Sequence, residues 1–306
     1  MSDNPQRLRA NFLLLLTAVI WGFAFVAQRS GMEFVGPFTF NAIRFLIGGL
    51  ALVPLMAAMD RRRGAAGVAI VPLRGRGIVI GGALAGLFLF SAATLQQMGI
   101  AFTTAGKAGF ITSLYVVLVP LLGLAFGHRP PAAVWAGAVL AAAGLYFLTI
   151  EGGFRMAWGD VLVLGGAFLW AGHVLLLGRL SPGTDPVKLA FAQFMACAAL
   201  SAVAAVLLET TTVADLQAAL LPILYAGIMS VGVGYTLQVV AQGHARPADA
   251  AIILSLEAVF AVIGGWLLLS EALTARALFG CGLMMAGIVI SQLFGRPEDA
   301  AAEISH

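Results

Sequence analysis

Charged residues are scarce in this chain of 306 amino acids. Only 10% of the residues are charged and 61% are hydrophobic, whereas a soluble globular domain has roughly 25% charged residues. Water could not solvate a surface of this composition. The scarcity therefore excludes an ordinary soluble domain and makes the lipid bilayer the expected surroundings of the chain.

Residues for metal and nucleotide chemistry are also missing. Cys197 and Cys281 are the two cysteines, and each lies in an apolar segment without a second thiol at ligand spacing, so both are expected to be free and buried. The four histidines form no HxxxH or HExxH pattern, and no GxxxxGK phosphate loop occurs. We therefore expect no cofactor, no metal site and no use of ATP.

Long apolar runs dominate what remains. Ten segments approach the length of about 20 residues that crosses a bilayer as a helix, and the connections between them are too short to hold a soluble domain. The only sizeable polar stretch, 60–76, is predicted to be a flexible loop. The predicted spans are 11–28, 37–57, 77–97, 105–126, 132–149, 159–178, 187–208, 217–240, 248–269 and 276–294.

The sequence also repeats itself. Matching residues are separated by 142 to 149 positions, and so small a drift indicates a duplication with altered loop lengths. This predicts two five-helix repeats, residues 1–150 and residues 151–306 with a short tail. Because each repeat has an odd number of spans, the second must be inverted, as in many secondary transporters. Matched pairs are Trp21 with Trp170, Arg44 with Gln193, Thr94 with Thr236, Tyr115 with Glu257, Gly137 with Gly280, and Gly144 with Gly287.

Lysine and arginine are unevenly distributed between alternate connections. With a cytoplasmic N-terminus, twelve of them lie in cytoplasmic segments and four in external ones, while Arg44 lies inside a span. Cytoplasmic loops are enriched in these residues, so both termini are predicted to be cytoplasmic. The basic pI of about 9.2 then follows from topology, and no nucleic-acid partner is expected.

Glu257 is the clearest candidate functional residue. An ionisable side chain within the hydrocarbon is costly and is a functional candidate for that reason. Its carboxylate could neutralise a cationic group of a substrate or accept a proton; alternatively, it pairs with polar groups and stabilises helix packing. Its repeat mate Tyr115 is a polar-tipped aromatic. The two related helices are therefore expected to present polar groups at related depths.

His173 is the second candidate. It follows Trp170 by three residues, so both share a helical face. If Trp21 and its repeat mate Trp170 border a central cavity, His173 borders it as well. The alternative is a packing histidine with satisfied hydrogen bonds, although its ordinary pKa near neutrality would suit a proton relay.

Neutral polar residues and Arg44 complete the candidates. Thr94, Gln97, Tyr235 and Gln238 could contact a polar small molecule, or they could bond between packed helices. Arg44 either has a structural role or contacts a substrate carboxylate. In the structural role, which is favoured, it extends towards the membrane interface or binds carbonyls at a helix break.

Four motifs together resemble the EamA type of the drug/metabolite transporter superfamily. They are Trp21 to Phe25, Phe40 to Phe45, Ser255 to Ala261 and Leu268 to Thr274. The resemblance covers essentially the whole chain and is closest to the YddG kind of amino-acid exporter. It implies a ten-helix exporter of the bacterial inner membrane with cytoplasmic termini. Ala258 replaces the usual family proline, so the resemblance does not by itself imply a helix break there.

We therefore predict an all-α integral membrane protein of ten helices that exports a small metabolite, with amino acids favoured, by alternating access. It is not expected to be an enzyme, and no obligatory protein partner is inferred. A drug or nucleotide-sugar carrier of the same fold and an intramembrane enzyme are the alternatives. The predicted substrate-binding residues are Trp21, Thr94, Gln97, Tyr115, Trp170, His173, Tyr235, Gln238 and Glu257.

Overall fold

The computed structural model describes residues 5–126, 130–149, 156–180, 184–242, 253–272 and 274–294. Within these ranges the chain is almost entirely helical and contains no β-strand. The helices are α1 (Pro5–Gly31), α2 (Pro37–Ala65), α3 (Arg76–Ile100), α4 (Ala105–Ser113), α5 (Tyr115–Leu122), α6 (Ala132–Thr149), α7 (Trp158–Leu180), α8 (Pro186–Leu208), α9 (Val213–Ala218), α10 (Leu220–Leu224), α11 (Tyr235–Gln242), α12 (Glu257–Leu269) and α13 (Ala275–Phe294).

Seven of these apolar segments are long enough to cross a membrane, and three more apolar helices are slightly shorter. Together they fall on the ten predicted spans, which confirms an all-helical membrane protein. Spans 1, 2 and 3 are α1, α2 and α3; span 4 is α4 with α5; spans 5, 6 and 7 are α6, α7 and α8. Span 8 runs from α10 to α11, span 9 ends with α12, and span 10 is α13.

One predicted loop is partly wrong. Helix α2 continues to Ala65, so the first residues of the 60–76 stretch are helical rather than flexible. Arginine is a good helix former, and charged residues beyond the apolar run can extend a helix out of the bilayer. The three arginines at 61–63 therefore lie on a projecting helix end.

Local sequence explains several helix starts. Proline occupies the first position of α2 and of α8, where its missing N–H costs no hydrogen bond. Asp185 caps α8, and Thr104 caps α4 through its hydroxyl. The α2 start is also capped across the fold, because the Glu209 carboxylate accepts hydrogen bonds from the Phe38 and Thr39 amides, both at 2.8 Å. Such caps satisfy the free N–H groups of a helix end.

The packing of the spans has two-fold regularity. Each span has its repeat mate five spans away. When both spans of a contact are replaced by their repeat mates, the result is again an observed contact. Span 3 packs on spans 6 and 7, and correspondingly span 8 packs on spans 1 and 2. Span 1 packs on span 9, and span 6 packs on span 4. Spans 2, 4 and 5 pack on their own counterparts, spans 7, 9 and 10. This is the pattern that a pseudo-two-fold axis between two five-span halves produces.

Span 4 and span 9 are both interrupted at matching positions. Leu114 is a turn residue between α4 and α5, and Leu256, its repeat mate, is a turn residue just before α12. Both amides bond the carbonyl three residues earlier, Ile111 or Ile253, at 3.2 Å. The interruption at Leu256 therefore occurs without the family proline, and Tyr115 and Glu257 each begin the following helix.

Span 8 differs from its counterpart, span 3. Residues Tyr225–Gly234 form a π-helix, whereas span 3 is a continuous α-helix over Arg76–Ile100. π-Helical turns are rare and often occur at functional sites. Gly227, Gly232 and Gly234 lie in this segment, and all three pack closely against neighbouring helices. The two halves are thus related but not identical.

The bundle has two faces at which its spans are connected. The terminal face is the end at which span 1 begins and span 10 ends, and it contains the connections after spans 2 and 6. The opposite face contains the connections after spans 1, 3, 7 and 9. Large apolar side chains such as Val206 and Leu221 are exposed on the outside of the bundle, as expected for surfaces in contact with lipid.

Candidate functional site

Two tryptophans make equivalent contacts between the halves of the bundle. The Trp21 indole nitrogen in span 1 donates to the Ser230 carbonyl oxygen in span 8 at 3.0 Å. The Trp170 indole nitrogen in span 6 donates to Gln96 Oε1 in span 3 at 2.8 Å. Both rings are partly buried. The repeat mates therefore occupy matching inter-half interfaces, and their role in lining a cavity stays a prediction.

A chain of glutamines continues from Trp170. Gln96 Nε2 donates to Gln28 Oε1 at 3.0 Å, and Gln97 Nε2 donates to the Gln28 carbonyl oxygen at 3.1 Å. Gln28 Nε2 donates to the Ala24 carbonyl oxygen within span 1. Spans 6, 3 and 1 are thus joined by buried amides. Sequence reasoning named Gln97 as a candidate but missed Gln28, which lies at the predicted end of span 1.

His173 belongs to a second hydrogen-bonded group. Its Nε2 lies 2.7 Å from Gln193 Oε1, and Gln193 Nε2 donates to the Tyr235 hydroxyl at 3.2 Å. Because an amide oxygen can only accept, His173 Nε2 is the donor. The Trp170 and His173 rings meet edge to face with centroids 5.7 Å apart. The group joins spans 6, 7 and 8, and it satisfies a histidine that is only 4% exposed.

Glu257 lies opposite Ser113, near the two helix interruptions. Ser113 Oγ in span 4 donates to Glu257 Oε1 in span 9 at 3.4 Å, and both residues are buried. Tyr115 follows Ser113 by two residues and begins α5. That Tyr115 and Glu257 present polar groups at related depths stays a prediction. Ser113 was visible in the sequence only as the repeat mate of Ser255.

The remaining candidates are distributed around these groups. Thr94 is buried, and its hydroxyl has no hydrogen-bond partner among the described residues; the same holds for Gln97 Oε1. Tyr235 belongs to the His173 group. Gln238 is partly exposed in span 8 and is not connected to these groups by any hydrogen bond that we find between described residues. The structure thus places the predicted residues in separate groups, and their assembly around one substrate stays a prediction.

Arg44 packs inside the bundle. Its side chain is buried, and its guanidinium carbon lies 4.7 Å from the Phe45 ring centroid and 5.6 Å from that of Phe40. Cation–π contacts of this kind stabilise a desolvated guanidinium. The Phe45 ring in turn packs on Phe194, the neighbour of Gln193. Arg44 therefore lies beside the His173 group rather than within it.

Ion pairs join span 2 to span 7 at the terminal face. Lys188 Nζ donates to both carboxylate oxygens of Asp60, at 2.7 and 2.8 Å, and to the Val71 carbonyl oxygen at 2.7 Å. Arg63 pairs with Asp185, whose carboxylate also accepts from two amides at the start of α8. Sequence reasoning treated these cations only as topology signals. Their positions make them a bridge between equivalent spans of the two halves.

A cavity of about 500 Å³ opens at the opposite face. Its lining contains none of the nine predicted residues. The groups around Trp170, His173 and Glu257 are held by the hydrogen bonds described above. The described conformation therefore has a bridged terminal face and an open space at the opposite face.

Similar proteins are found along the full length of the chain. An uncharacterized transporter of Archaeoglobus fulgidus is 33% identical over 95% of this chain and 88% of its own length. A protein of Escherichia coli named as a probable amino-acid metabolite efflux pump is 26% identical over 92% of this chain and 94% of its own length.

A solved crystal structure shares the fold, with a TM-score of 0.63 and 23% identity over 94% of this chain and 97% of that one. The EamA-like transporter family matches the sequence twice, over residues 8–150 and again over residues 157–293. The two matches follow the two halves seen in the packing of the spans. This chain is a multi-pass membrane protein that belongs to the EamA-like transporter family.

Proposed function

We propose that the protein is a secondary transporter that exports small metabolites, with amino acids as the substrate class, by alternating access. The single observation that carries this proposal is the buried Glu257 carboxylate beside paired helix interruptions, with the Ser113 hydroxyl as its hydrogen-bond partner. The relative named as an amino-acid metabolite efflux pump supports the same substrate class. Export from the bacterial cytoplasm across the inner membrane is part of the proposal.

The chemistry of the site suits a small zwitterion. The Glu257 carboxylate would bind an ammonium group, which Ser113 Oγ now partly replaces as its hydrogen-bond partner. Tyr115 and Glu257 begin α5 and α12 directly after the two interruptions. Trp21, Trp170 and His173 would supply the aromatic wall.

The bridges at the terminal face support a gating scheme. We infer that the terminal face is cytoplasmic, as the distribution of lysine and arginine predicts. The Lys188–Asp60 and Arg63–Asp185 pairs then close the cytoplasmic side while the external side is open. Breaking these pairs and closing the external cavity would expose the central site to the cytoplasm. Rocking of one half against the other is the motion that inverted repeats commonly use.

Two alternatives differ in the charges they need. A nucleotide-sugar carrier would require several cavity-facing cations for phosphates, whereas the nine predicted site residues include no lysine or arginine. An intramembrane enzyme would require a base and a nucleophile close together. Glu257 and His173 lie in separate hydrogen-bonded groups. Neither arrangement favours these alternatives over transport.

Counterflow in proteoliposomes tests the proposal. Vesicles loaded with an unlabelled amino acid should accumulate the labelled form transiently, with protein-free vesicles as the control. The panel should include neutral, acidic and basic amino acids, a monoamine and a nucleotide sugar. If only the nucleotide sugar accumulates, the protein is a nucleotide-sugar carrier. If only the monoamine accumulates, it is a drug carrier. If no panel compound accumulates while the protein remains folded, amino-acid export is wrong.

A further inference from the structure

The cavity at the opposite face is lined by ionisable groups of both signs. Arg29 and Lys107 supply positive charge, and Glu33, Asp160 and Glu271 supply negative charge. These residues come from span 1, span 4, span 6 and the connection after span 9. None of them was predicted as a site residue from the sequence. Only the tertiary structure brings them to one cavity.

Several of these side chains are held in place by the fold. Glu271 Oε1 accepts from the Ala105 amide at 2.8 Å, which caps α4 two residues before Lys107. Asp160 is fully buried, and its Oδ1 accepts from the Thr103 hydroxyl at 2.5 Å. By contrast, Arg29 and Glu33 are only 3.9 Å apart in a loose pair, with side chains 31% and 57% exposed. The cavity thus combines fixed charges with charges that a ligand can reach.

We propose that this cavity, the outer vestibule, is a second binding station for a free amino acid, and this inference rests on the proposed export function. Arg29 and Lys107 would bind the α-carboxylate, and Glu33 would bind the α-ammonium group. Charge-assisted hydrogen bonds of this kind are stronger than neutral ones. A polyanion would be repelled by three carboxylates, and a simple amine has no carboxylate for the two cations to bind.

The location places the vestibule on the exit route. Arg29 directly follows Gln28, which belongs to the glutamine chain that continues from Trp170. Asp160 precedes Trp170 by ten residues on the same helix, which is about 15 Å at 1.5 Å per residue. The volume of about 500 Å³ is within the range of small-molecule sites. A substrate released from the central groups would therefore pass through a space built for both of its charges.

External inhibition of export tests the inference. Proteoliposomes preloaded with labelled substrate receive external L-leucine, L-leucinamide, which lacks the carboxylate, or N-acetyl-L-leucine, which lacks the ammonium group. External L-leucine should slow efflux of the wild type. Lys107→Gln should raise the half-inhibitory L-leucine concentration about fivefold, equivalent to about 1 kcal/mol. It should leave inhibition by L-leucinamide unchanged, whereas Glu33→Gln should weaken inhibition by L-leucinamide and leave inhibition by N-acetyl-L-leucine unchanged.

Two further variants separate charge from folding. Lys107→Arg keeps the positive charge and should restore inhibition by L-leucine. Arg276→Gln removes an external-face cation that packs over Tyr146 and Phe147 outside the vestibule, so it should leave every half-inhibitory concentration unchanged. Wild-type inhibition in both Lys107→Gln and Glu33→Gln would overturn the vestibule while export stands. Failure of the wild type to transport any amino acid would overturn both proposals.

Discussion

Gly137 in span 5 lies against Gly287 in span 10, although its repeat mate is Gly280. Gly144, seven residues further along span 5, lies against Gly280. Moving forward along one span therefore means moving backward along the other, so the two spans are antiparallel. Each glycine contacts the mate of the other, as a two-fold axis in the membrane plane requires. This contact is the most direct sign of inverted halves in the structure.

The first prediction concerns this glycine contact. A Cβ added at Gly144 would lie 2.6 Å from the Gly280 carbonyl oxygen, so Gly144→Ala must push the spans apart. Overpacking of this kind typically costs about 1 to 3 kcal/mol, and unfolding in detergent should occur at lower temperature. Gly282→Ala is the matched control, because its added Cβ meets no atom within 4 Å. An unchanged melting temperature for Gly144→Ala would contradict close packing of spans 5 and 10.

The second prediction concerns Glu257. Glu257→Gln keeps the shape and hydrogen bonding of the side chain but removes its charge, so transport should fall severalfold while the melting temperature stays near that of the wild type. If Glu257 is structural, the same change should mainly reduce stability, by about 1 to 3 kcal/mol for a disturbed buried polar contact. Flux and thermal unfolding should be measured on the same preparation. Wild-type flux over a pH range of about 5 to 8 would remove charge recognition by Glu257.

The third prediction concerns Gln193, which serves both His173 and Tyr235. Gln193→Leu leaves two buried polar groups without their partner, and each should cost about 1 to 3 kcal/mol. Gln193→Glu retains an acceptor for His173 and should lower stability less. Thermal unfolding in detergent is the measurement. If Gln193→Leu unfolds at the wild-type temperature, the hydrogen-bonded group joining spans 6, 7 and 8 contributes nothing to stability.

The fourth prediction concerns the bridge at the terminal face. The Lys188 side chain is 5% exposed and Asp60 is 31% exposed, so their coupling should lie between that of exposed and buried pairs, about 1 to 3 kcal/mol. A double-mutant cycle with Lys188→Met and Asp60→Ala measures this coupling in the free energy of unfolding. The single variants should also increase labelling of a cysteine introduced near the terminal face. Additive effects and unchanged labelling would mean that the pair does not close this face.

The fifth prediction is the orientation of the chain. Reporter fusions at both termini and in the connection after span 2 should report a cytoplasmic location, because these segments contain eight of the 17 lysine and arginine residues and cytoplasmic segments are enriched in them. A fusion in the connection after span 7, near Val213, should report the external side. A cytoplasmic signal from that connection would reverse the proposed direction of the two faces.

The spans and their duplication could be predicted because both follow from local sequence. A run of about 20 apolar residues must become a helix in the bilayer, since no water is present to satisfy its backbone groups. Repeat mates such as Trp21 and Trp170 are recognisable as patterns along the chain. The family follows from the same motifs. The helical end of the 60–76 stretch was missed because glycines and arginines there suggested a loop.

The partners of the polar side chains could not be predicted. Which face of a helix meets its neighbour depends on rotation and tilt, and these are set by packing between residues far apart in sequence. Gln28 meets Gln96 across 68 positions, and Ser113 meets Glu257 across 144. The sequence by itself determined a ten-span, duplicated membrane transporter. Tertiary packing alone decided that the amides form chains, that the terminal face is bridged by ion pairs, and that charges of both signs share one vestibule.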